Sequence, residues 1–382
     1  MLLRMAAVIL GLMAALAPAL LALFPRIGTA PFYRLQRKRT MLLLIALPLA
    51  LLDVLRRPAL ARVWPLAVVS GCAVLALRVL DPARAIVALD NPPKQRANHA
   101  DLPGDAGVIG TEHNGEACAW PLDVLIPHHL INDHLGGEPL LVSWCAACRS
   151  GMIYRATVDG QPLDFTVVGV WRRNMVIRDA QTGSIWQQDT GACLAGPLAG
   201  RRLEPLGAEL TRWAAWRADH PDSLVAEDRP EVRGLLSNQQ WRQAFEMTRH
   251  FVVPGLKRGD DRLPAHAEVA GFVIDGAARA YPLKALHAAE IVNDQLGGQP
   301  LAVIYAPAID RVRAFERTVG GQVITLKQAD GDLTDDSGVM RWDQRGAPLS
   351  GTDVSLVTIP VRREWWLGWS EFYPDSAIYR AE

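Results

Sequence analysis

Three long apolar runs open the chain, and shorter alternating runs fill the rest. Met5–Phe24 is free of charge for about 20 residues, enough at about 1.5 Å per residue to reach across a hydrocarbon core of about 30 Å. Met41–Leu55, which contains Pro48 and Asp53, and Val63–Leu77, which contains Gly71 and Cys72, follow it. These runs predict a transmembrane region over residues 1–80 with two or three helices. Arg4 also suits the start of a cleaved signal, but two further apolar runs directly behind it favour spans. Arg34, Arg37, Lys38 and Arg39 lie between the first two runs, and Arg56, Arg57 and Arg62 between the last two. The first basic loop belongs inside the cell. Whether the second run crosses then decides the side of the remaining chain, so charge alone leaves the orientation open.

Beyond the runs the chain repeats itself with an offset of 161. From Val108 onward about 17 of 41 paired positions are identical, far above chance. Further on, Trp213-x-x-Trp216 and Pro221-Asp222-Ser223 pair with Trp366-x-x-Trp369 and Pro374-Asp375-Ser376. Two tandem units are expected, 105–226 and 266–380, joined by a polar linker over 227–265 with one short helix. In the first unit, Asn114-Gly115 between two apolar runs predicts a hairpin. Asp123–Leu135 carries helical spacing (Val124, His128, Ile131, Leu135) and ends at Gly136-Gly137, as helices do. Leu140–Trp144 reads as a strand, Met152–Trp186 as several more, and Thr211–Asp219 as a helix. The predicted fold class is therefore α+β: N-terminal transmembrane helices followed by two tandem, duplicated, strand-rich domains.

Composition sharpens this picture. The 40 basic and 40 acidic residues cancel overall. Residues 1–80, however, hold about ten bases and one acid, leaving a body with a net charge near −9. An acidic body excludes a nucleic-acid binder working by bulk charge. An apolar content of one half excludes disorder, and five cysteines in a chain this long exclude a disulfide-scaffold miniprotein.

The two copies help separate scaffold from site. Asn132-Asp133 recur as Asn293-Asp294, which points to structural hydrogen bonding. Residues present in one copy only are the candidates for chemistry. Cys145 and Cys148 face Ala306 and Ile309, His128 and His129 face Ala289 and Glu290, and Cys118 and Cys193 face Arg279 and Pro348. The first unit is thus the working copy and the second a degenerate partner.

Cys145-Ala146-Ala147-Cys148 can bite one metal ion or form a reducible disulfide. His128, just before the strand, completes a Cys₂His set suited to copper or zinc, with His129 as a further ligand, or a thiolate–imidazole pair. Cys145, His128 and Asn132 also supply the residue types of a Cys-His-Asn hydrolase, although nothing in their spacing singles that out. Arg172 and Asn174 could bind an anionic group. The lack of a second Cys-x-x-Cys excludes a Cys₄ zinc ribbon, and no Cys-x-x-Cys-His exists for covalent haem. A Gly-rich phosphate loop, His-Glu-x-x-His and Gly-x-Ser-x-Gly are also lacking.

The strings N-G-E-A-x-A-W-P-L, H-x-L-I-N-D-x-L-G-G-x-P-L-L-V-x-W-C-x-x-C, R-x-N-M-V-I-R-D-x-Q-T-G-S-I-W-Q-Q and G-P-L-A-G, with the later W-x-x-W-x-x-x-H-P-D-S, resemble the uncharacterised domain-of-unknown-function family 3179 (DUF3179). The resemblance covers the first copy almost throughout and the second more weakly. By position, His128, Cys145 and Cys148 are its motif residues. His129 stands where the family usually has Glu, and Ala146 where it usually has Pro. The resemblance implies exported or membrane-attached proteins and supplies no established activity.

The sequence thus predicts a membrane-anchored protein whose first repeat carries a Cys-x-x-Cys plus His site for transition-metal binding or thiol redox chemistry. The alternative is a non-enzymatic binding or assembly module with a structural disulfide. A dithiol survives as a bridge only outside the cytoplasm. This favours the inner membrane with the soluble domains extracytoplasmic.

Overall fold

The computed structural model describes residues 2–56, 63–79, 81–252, 255–256 and 259–381. The basic stretch bearing Arg57 and Arg62 lies outside them. The apolar front folds as α1 (Leu2–Leu23), α2 (Thr29–Arg56) and α3 (Trp64–Val74), the last passing into a π-helical segment, Leu75–Val79. Small residues let these helices approach closely. Ala7, Ala46, Ala50 and Val69 form one buried contact, and Ala14, Ala15, Leu43, Cys72 and Ala76 another. Arg4 Nε donates to Asp53 Oδ2 at 2.6 Å, and Arg39 Nε to the Ala14 carbonyl at 3.0 Å.

This architecture corrects the expectation of transmembrane helices. Among the described residues no helix is long and apolar enough to cross a membrane. The second run is not a separate element, because its helix begins at Thr29 and takes Arg34, Arg37, Lys38 and Arg39 into its own length. The third run gives an α-helix of only 11 residues. The front also joins the body. Leu21 and Phe32 share a buried cluster with Val168, Val176, Ile185 and Ala195, and Trp171 Nε1 donates to the Pro25 carbonyl at 2.8 Å.

After a short helix, α4 (Pro82–Ala85), one order of elements runs twice. Gly107–His113 and Glu116–Pro121 form a hairpin whose turn residues, Asn114 and Gly115, take φ of 49° and 77°. Glu268–Ile274 and Ala277–Pro282 form its counterpart, with Asp275 and Gly276 at 47° and 80°. Positive φ at both turn positions is what Asn-Gly and Asp-Gly supply. Helix α5 (Leu122–His128) or α8 (Leu283–Ala289) follows the hairpin.

The helix expected over Asp123–Leu135 stops early. His129 turns left-handed at φ 61°, and Leu130–Leu135 is a strand paired antiparallel with Glu138–Cys145. Gly136-Gly137 is then the turn of that hairpin rather than a helix stop, with φ of 57° and 77°. The apolar residues of 130–135 fit either period; pairing with Leu89–Asp90 on one side and Glu138–Cys145 on the other decides for the strand. Glu290 makes the same left turn in the second copy, at φ 56°.

Each repeat then closes on a tryptophan helix, α6 (Trp213–Asp219) or α9 (Trp366–Phe372). The strand before α6, Glu209–Arg212, pairs with Gly107–Gly110, and the strand before α9, Arg362–Trp365, pairs with Glu268–Gly271. The buried Trp216 and Trp369 lie against Gly110 and Gly271, where a Cβ would come within 2.5 Å and 2.1 Å of the rings. Their indoles donate to Ser223 Oγ and Ser376 Oγ at 3.1 Å and 2.9 Å. Asn132 and Asn293 act as matching clamps, each accepting a backbone N–H and donating to the carbonyl of the same residue, Phe165 or Leu326. Helix α7 (Asn238–Met247), from the stretch between the repeats, begins with a capping box of Ser237 and Gln240 and lays Phe245 into the first repeat's core.

The repeats meet along a reciprocal seam. Trp365 N donates to the Cys148 carbonyl at 2.8 Å, and Thr211 Oγ1 donates to the Ile309 carbonyl at 3.0 Å. Arg313 reaches Glu209 at 2.8 Å and Asp219 at 2.6 Å, and Arg311 shares Asp219 at 2.6 Å.

Replacing Gly271 with Ala forces a methyl group into the Trp369 ring. We expect Gly271→Ala to destabilise the protein by about 1–3 kcal/mol, read from the urea midpoint at unchanged m-value.

Candidate functional site

The strand Glu138–Cys145 and the strand Ser150–Arg155 are joined by a tight connection that contains the Cys-x-x-Cys. Arg149 takes a left-handed φ of 55° there, turning the chain so that Cys148 points into the core. Cys145 and Cys148 are 1% and 0% exposed. Both are free thiols, so the structure does not hold them as the bridge of the structural-disulfide alternative.

Burial alone would push the Cys145 thiol up. The Cys148 side chain and the backbone N–H groups of Cys148, Ala147 and Met175 overcome this and hold the thiol below its ordinary value. Cys148 goes the opposite way. Burial, then the hydrogen bond and charge of Cys145 and the charge of Asp189, push its thiol well up, against Ser150. Of the two thiols, Cys145 is therefore the one that ionises first, and Cys148 is the one that holds its proton.

A polar net surrounds Cys148. Its sulfur lies 3.2 Å from Ser150 Oγ and receives Asn174 Nδ2 at 3.3 Å. Asn174 Nδ2 also reaches Gln188 Oε1 at 2.8 Å, and its Oδ1 accepts from Gln187 Nε2 at 2.6 Å and from the Asp189 N–H at 3.0 Å. Gln188 Nε2 donates to Ser143 Oγ at 2.9 Å.

The second repeat supplies the remaining wall. Arg362 Nη1 donates to the Asp189 carbonyl at 2.8 Å and lies 3.5 Å from its carboxylate. Glu364 is 3% exposed, and neither carboxyl oxygen has a hydrogen-bond partner. Burial, then the charges of Asp189 and Cys148, raise its carboxyl well above the usual range, against Arg362. Gly368 leaves room for this approach: a Cβ there would fall 2.5 Å from Glu364 Oε2 and 2.6 Å from Cys148 Cβ. A neutral carboxylic acid therefore stands beside the high-pKa thiol.

A family model described as a protein of unknown function (DUF3179) matches residues 84–376, both repeats included. The chain belongs to this family. No curated protein and no solved structure matches it.

In this DUF3179 protein the expected Cys₂His set is not assembled. His128 is buried elsewhere, with Nδ1 2.8 Å from the Val87 carbonyl and Nε2 3.9 Å from Asp228 Oδ1. His129 meets the Trp241 ring edge-on at 5.4 Å, and burial pushes it down to about 4. The hairpin brings the backbones together, with Trp144 N donating to the His129 carbonyl at 2.8 Å, but the imidazoles are directed to Asp228 and Trp241. Among the described residues no group of three or more His, Cys, Asp or Glu side chains could hold a metal ion, which corrects the copper or zinc expectation. Among the described residues the partners of Cys145 are Cys148 and backbone N–H groups, and those of His128 are the Val87 carbonyl and Asp228.

Asn174 lies in the thiol net, whereas Arg172 reaches across to Glu371, by Nε at 3.4 Å and by Nη2 to its carbonyl. Arg173 lies 3.9 Å from the same carboxylate. Burial pushes the Cys118 thiol well up and the Cys193 thiol up to about 11.

Sequence reasoning missed Ser150, Gln188, Asp189, Arg362, Glu364 and Gly368. A signal existed for Glu364. Aligning the tryptophan helices pairs it with Thr211, so one copy carries an acid where the other carries a buried hydroxyl.

The ordinary carboxyl value of 4.5 is raised for Glu364 in the fold, so the folded state holds the proton more tightly. This stabilisation is complete below pH 4.5 and is lost as pH rises toward the folded value. We expect Glu364→Gln to remove a negative slope of up to about 1.4 kcal/mol per pH unit from the stability profile above that pH. Urea midpoints measured across pH for both proteins check it, and identical slopes would contradict the assignment.

Proposed function

We propose that this protein is a dithiol–disulfide redox protein whose centre is Cys145 and Cys148. The observation that carries the reading is the division within the pair. Cys145 sits among backbone N–H donors that favour the thiolate, while Cys148 sits beside the unpartnered carboxyl of Glu364. The Cys145 thiolate attacks one sulfur of a partner disulfide, and the other partner sulfur leaves as a thiolate. Cys148 then attacks Cys145, closes an internal disulfide and releases the second partner sulfur. Two electrons pass to the partner disulfide. The Cys148 proton passes to the departing partner thiolate as the internal bond forms, while Glu364, already protonated, keeps this side of the pair uncharged. Since both thiols are buried, exchange requires the seam at Trp365 and Gly368 to part.

The same burial favours a second reading, a non-enzymatic binding or assembly module in which the thiols only fill the seam.

We also propose that the protein works at the outer face of the inner membrane, where surroundings are oxidising. The apolar faces of α1–α3 support contact with an anionic lipid surface. Leu2, Met5, Ile9, Leu44, Leu55 and Trp64 are exposed there, with Arg34, Arg37 and Lys38 alongside.

Folded protein incubated with glutathione disulfide should form a Cys145–Cys148 bridge, detected by peptide mass and reversed by dithiothreitol. Cys148→Ser should stop at the mixed disulfide on Cys145. Thiols that stay free until the chain is unfolded would favour the binding-module reading instead. For the lipid contact, the full chain should co-sediment with phosphatidylglycerol vesicles and far less with phosphatidylcholine vesicles. Equal recovery with both lipids, or recovery with neither, would reject the contact.

A further inference from the structure

A cavity of about 420 Å³ lies where the front meets the body. On the body side, Val176 and Arg178 share one face of the strand Asn174–Asp179, because alternate residues point the same way. Val176 packs in the buried cluster with Leu21, Phe32 and Ile185, and Ile185 is the cross-strand partner of Arg178. Arg178 therefore points toward α2, just beyond the edge of that cluster. On the front side Phe32 closes the cluster, and Tyr33, Gln36 and Arg37, further along α2, line the cavity. The helix thus covers the apolar part of the sheet face and leaves a hollow with a guanidinium on each wall.

The hollow is cationic. Arg178 is exposed, and its guanidinium has no hydrogen bond or ion pair among the described residues. Arg37 is exposed too, lies 5.8 Å from the Tyr33 ring centroid and donates to the Tyr33 hydroxyl at 3.4 Å. Among the described lining residues Asp179 is the one acid. It is fully buried, and its carboxylate is taken by the Thr182 and Gly183 N–H groups, the Thr182 hydroxyl and the Trp186 indole. Two guanidiniums against this one carboxylate leave a single net positive charge. That matches the charge of a phosphodiester, whose two non-bridging oxygens can each take one guanidinium. At about 30 Å³ per water the volume is that of roughly 14 waters, several times what a bare phosphate ion fills. Gln36 and the Tyr33 hydroxyl offer hydrogen bonds to hydroxyl groups carried on the phosphate.

The surface beyond the cavity indicates what else the phosphate carries. At about 100° per residue, Met41, Leu44, Leu51 and Leu55 lie within about 40° of Arg37 around the α2 axis, and all four are exposed. An apolar stripe therefore leads away from the cavity along the same helix face. A phosphate bearing an apolar chain covers both, whereas a sugar phosphate leaves the stripe bare.

We propose that this cavity binds the headgroup of an anionic glycerophospholipid such as phosphatidylglycerol, its phosphate between Arg37 and Arg178 and an acyl chain on the apolar stripe of α2. The proposal rests on the lipid contact inferred above and adds to it a headgroup site built partly from the body.

Calorimetric titration of the full chain with monomeric dihexanoyl-phosphatidylglycerol tests it, alongside dihexanoyl-phosphatidylcholine and inorganic phosphate. The glycerol lipid should bind saturably. The choline lipid, whose ammonium group meets two guanidiniums, and free phosphate, which lacks the chain, should each bind at least about tenfold more weakly. Arg37→Gln and Arg178→Gln should each weaken the glycerol lipid at least about tenfold. Lys327→Gln, an equal loss of charge on an exposed position of the second repeat, should leave its affinity unchanged. Circular dichroism establishes that each variant is folded. Arg178 has no partner to lose, so Arg178→Gln decides if Arg37→Gln does not fold. Absence of saturation in the wild type, equal binding of the choline lipid or free phosphate, a folded Arg178→Gln of unchanged affinity, or an equal drop in Lys327→Gln overturns the proposal. Sedimentation with phosphatidylglycerol vesicles separates the two failures. Recovery retained without saturable binding of the monomer removes the cavity site alone, whereas no recovery removes the lipid contact and the site with it.

Discussion

A carboxyl group with no hydrogen-bond partner, buried against a thiol pair, is the constraint around which the molecule is arranged. Leaving such a group unsatisfied costs about 1–3 kcal/mol, and ionising it there costs more. The fold meets the second cost by keeping Glu364 protonated and the first by firm neighbours: the Trp365-to-Cys148 backbone bond, the Arg362–Asp189 contact and the close approach at Gly368. None of these belongs to one repeat alone, so the surroundings of the first copy's thiol pair are completed by the second.

The seam is reciprocal in geometry but not in content. Where the first copy presents Cys148 to Glu364, the second presents Ile309 to Thr211. A hydroxyl donating to a carbonyl is a satisfied structural contact. A carboxyl beside a thiol is an unsatisfied, titratable one. The two halves share one backbone solution and differ in the side chains placed at the same crossing, which is the pattern expected when one half keeps the scaffold and the other the reactivity.

Much of the scaffold was legible because its causes are local. Asn114-Gly115 specifies its turn through backbone conformations that few other pairs adopt, and Cys145 and Cys148 come together because only two residues separate them. The helix expected over Asp123–Leu135 failed because spacing cannot show that Leu130–Leu135 has strand partners on both sides. That one error carried the next. With α5 ending at His129, His128 is directed to Asp228 and not to the thiols. The membrane spans were misread for a related reason: hydropathy marks apolar runs but not the Thr29 start that joins the basic stretch to the second of them. Glu364 was hidden because burial of an acid has no local signature, and only the comparison of the two copies carried a trace of it.

The union of the front with the body has its own consequence. Leu21 and Phe32 lie in the same cluster as Val176 and Ile185, and the Trp171 indole is fastened to the Pro25 carbonyl. A leash would let the β-rich body swing and search a volume around its point of attachment. A bolted joint instead gives the body one heading, so whatever surface the front settles on also decides which way the seam looks.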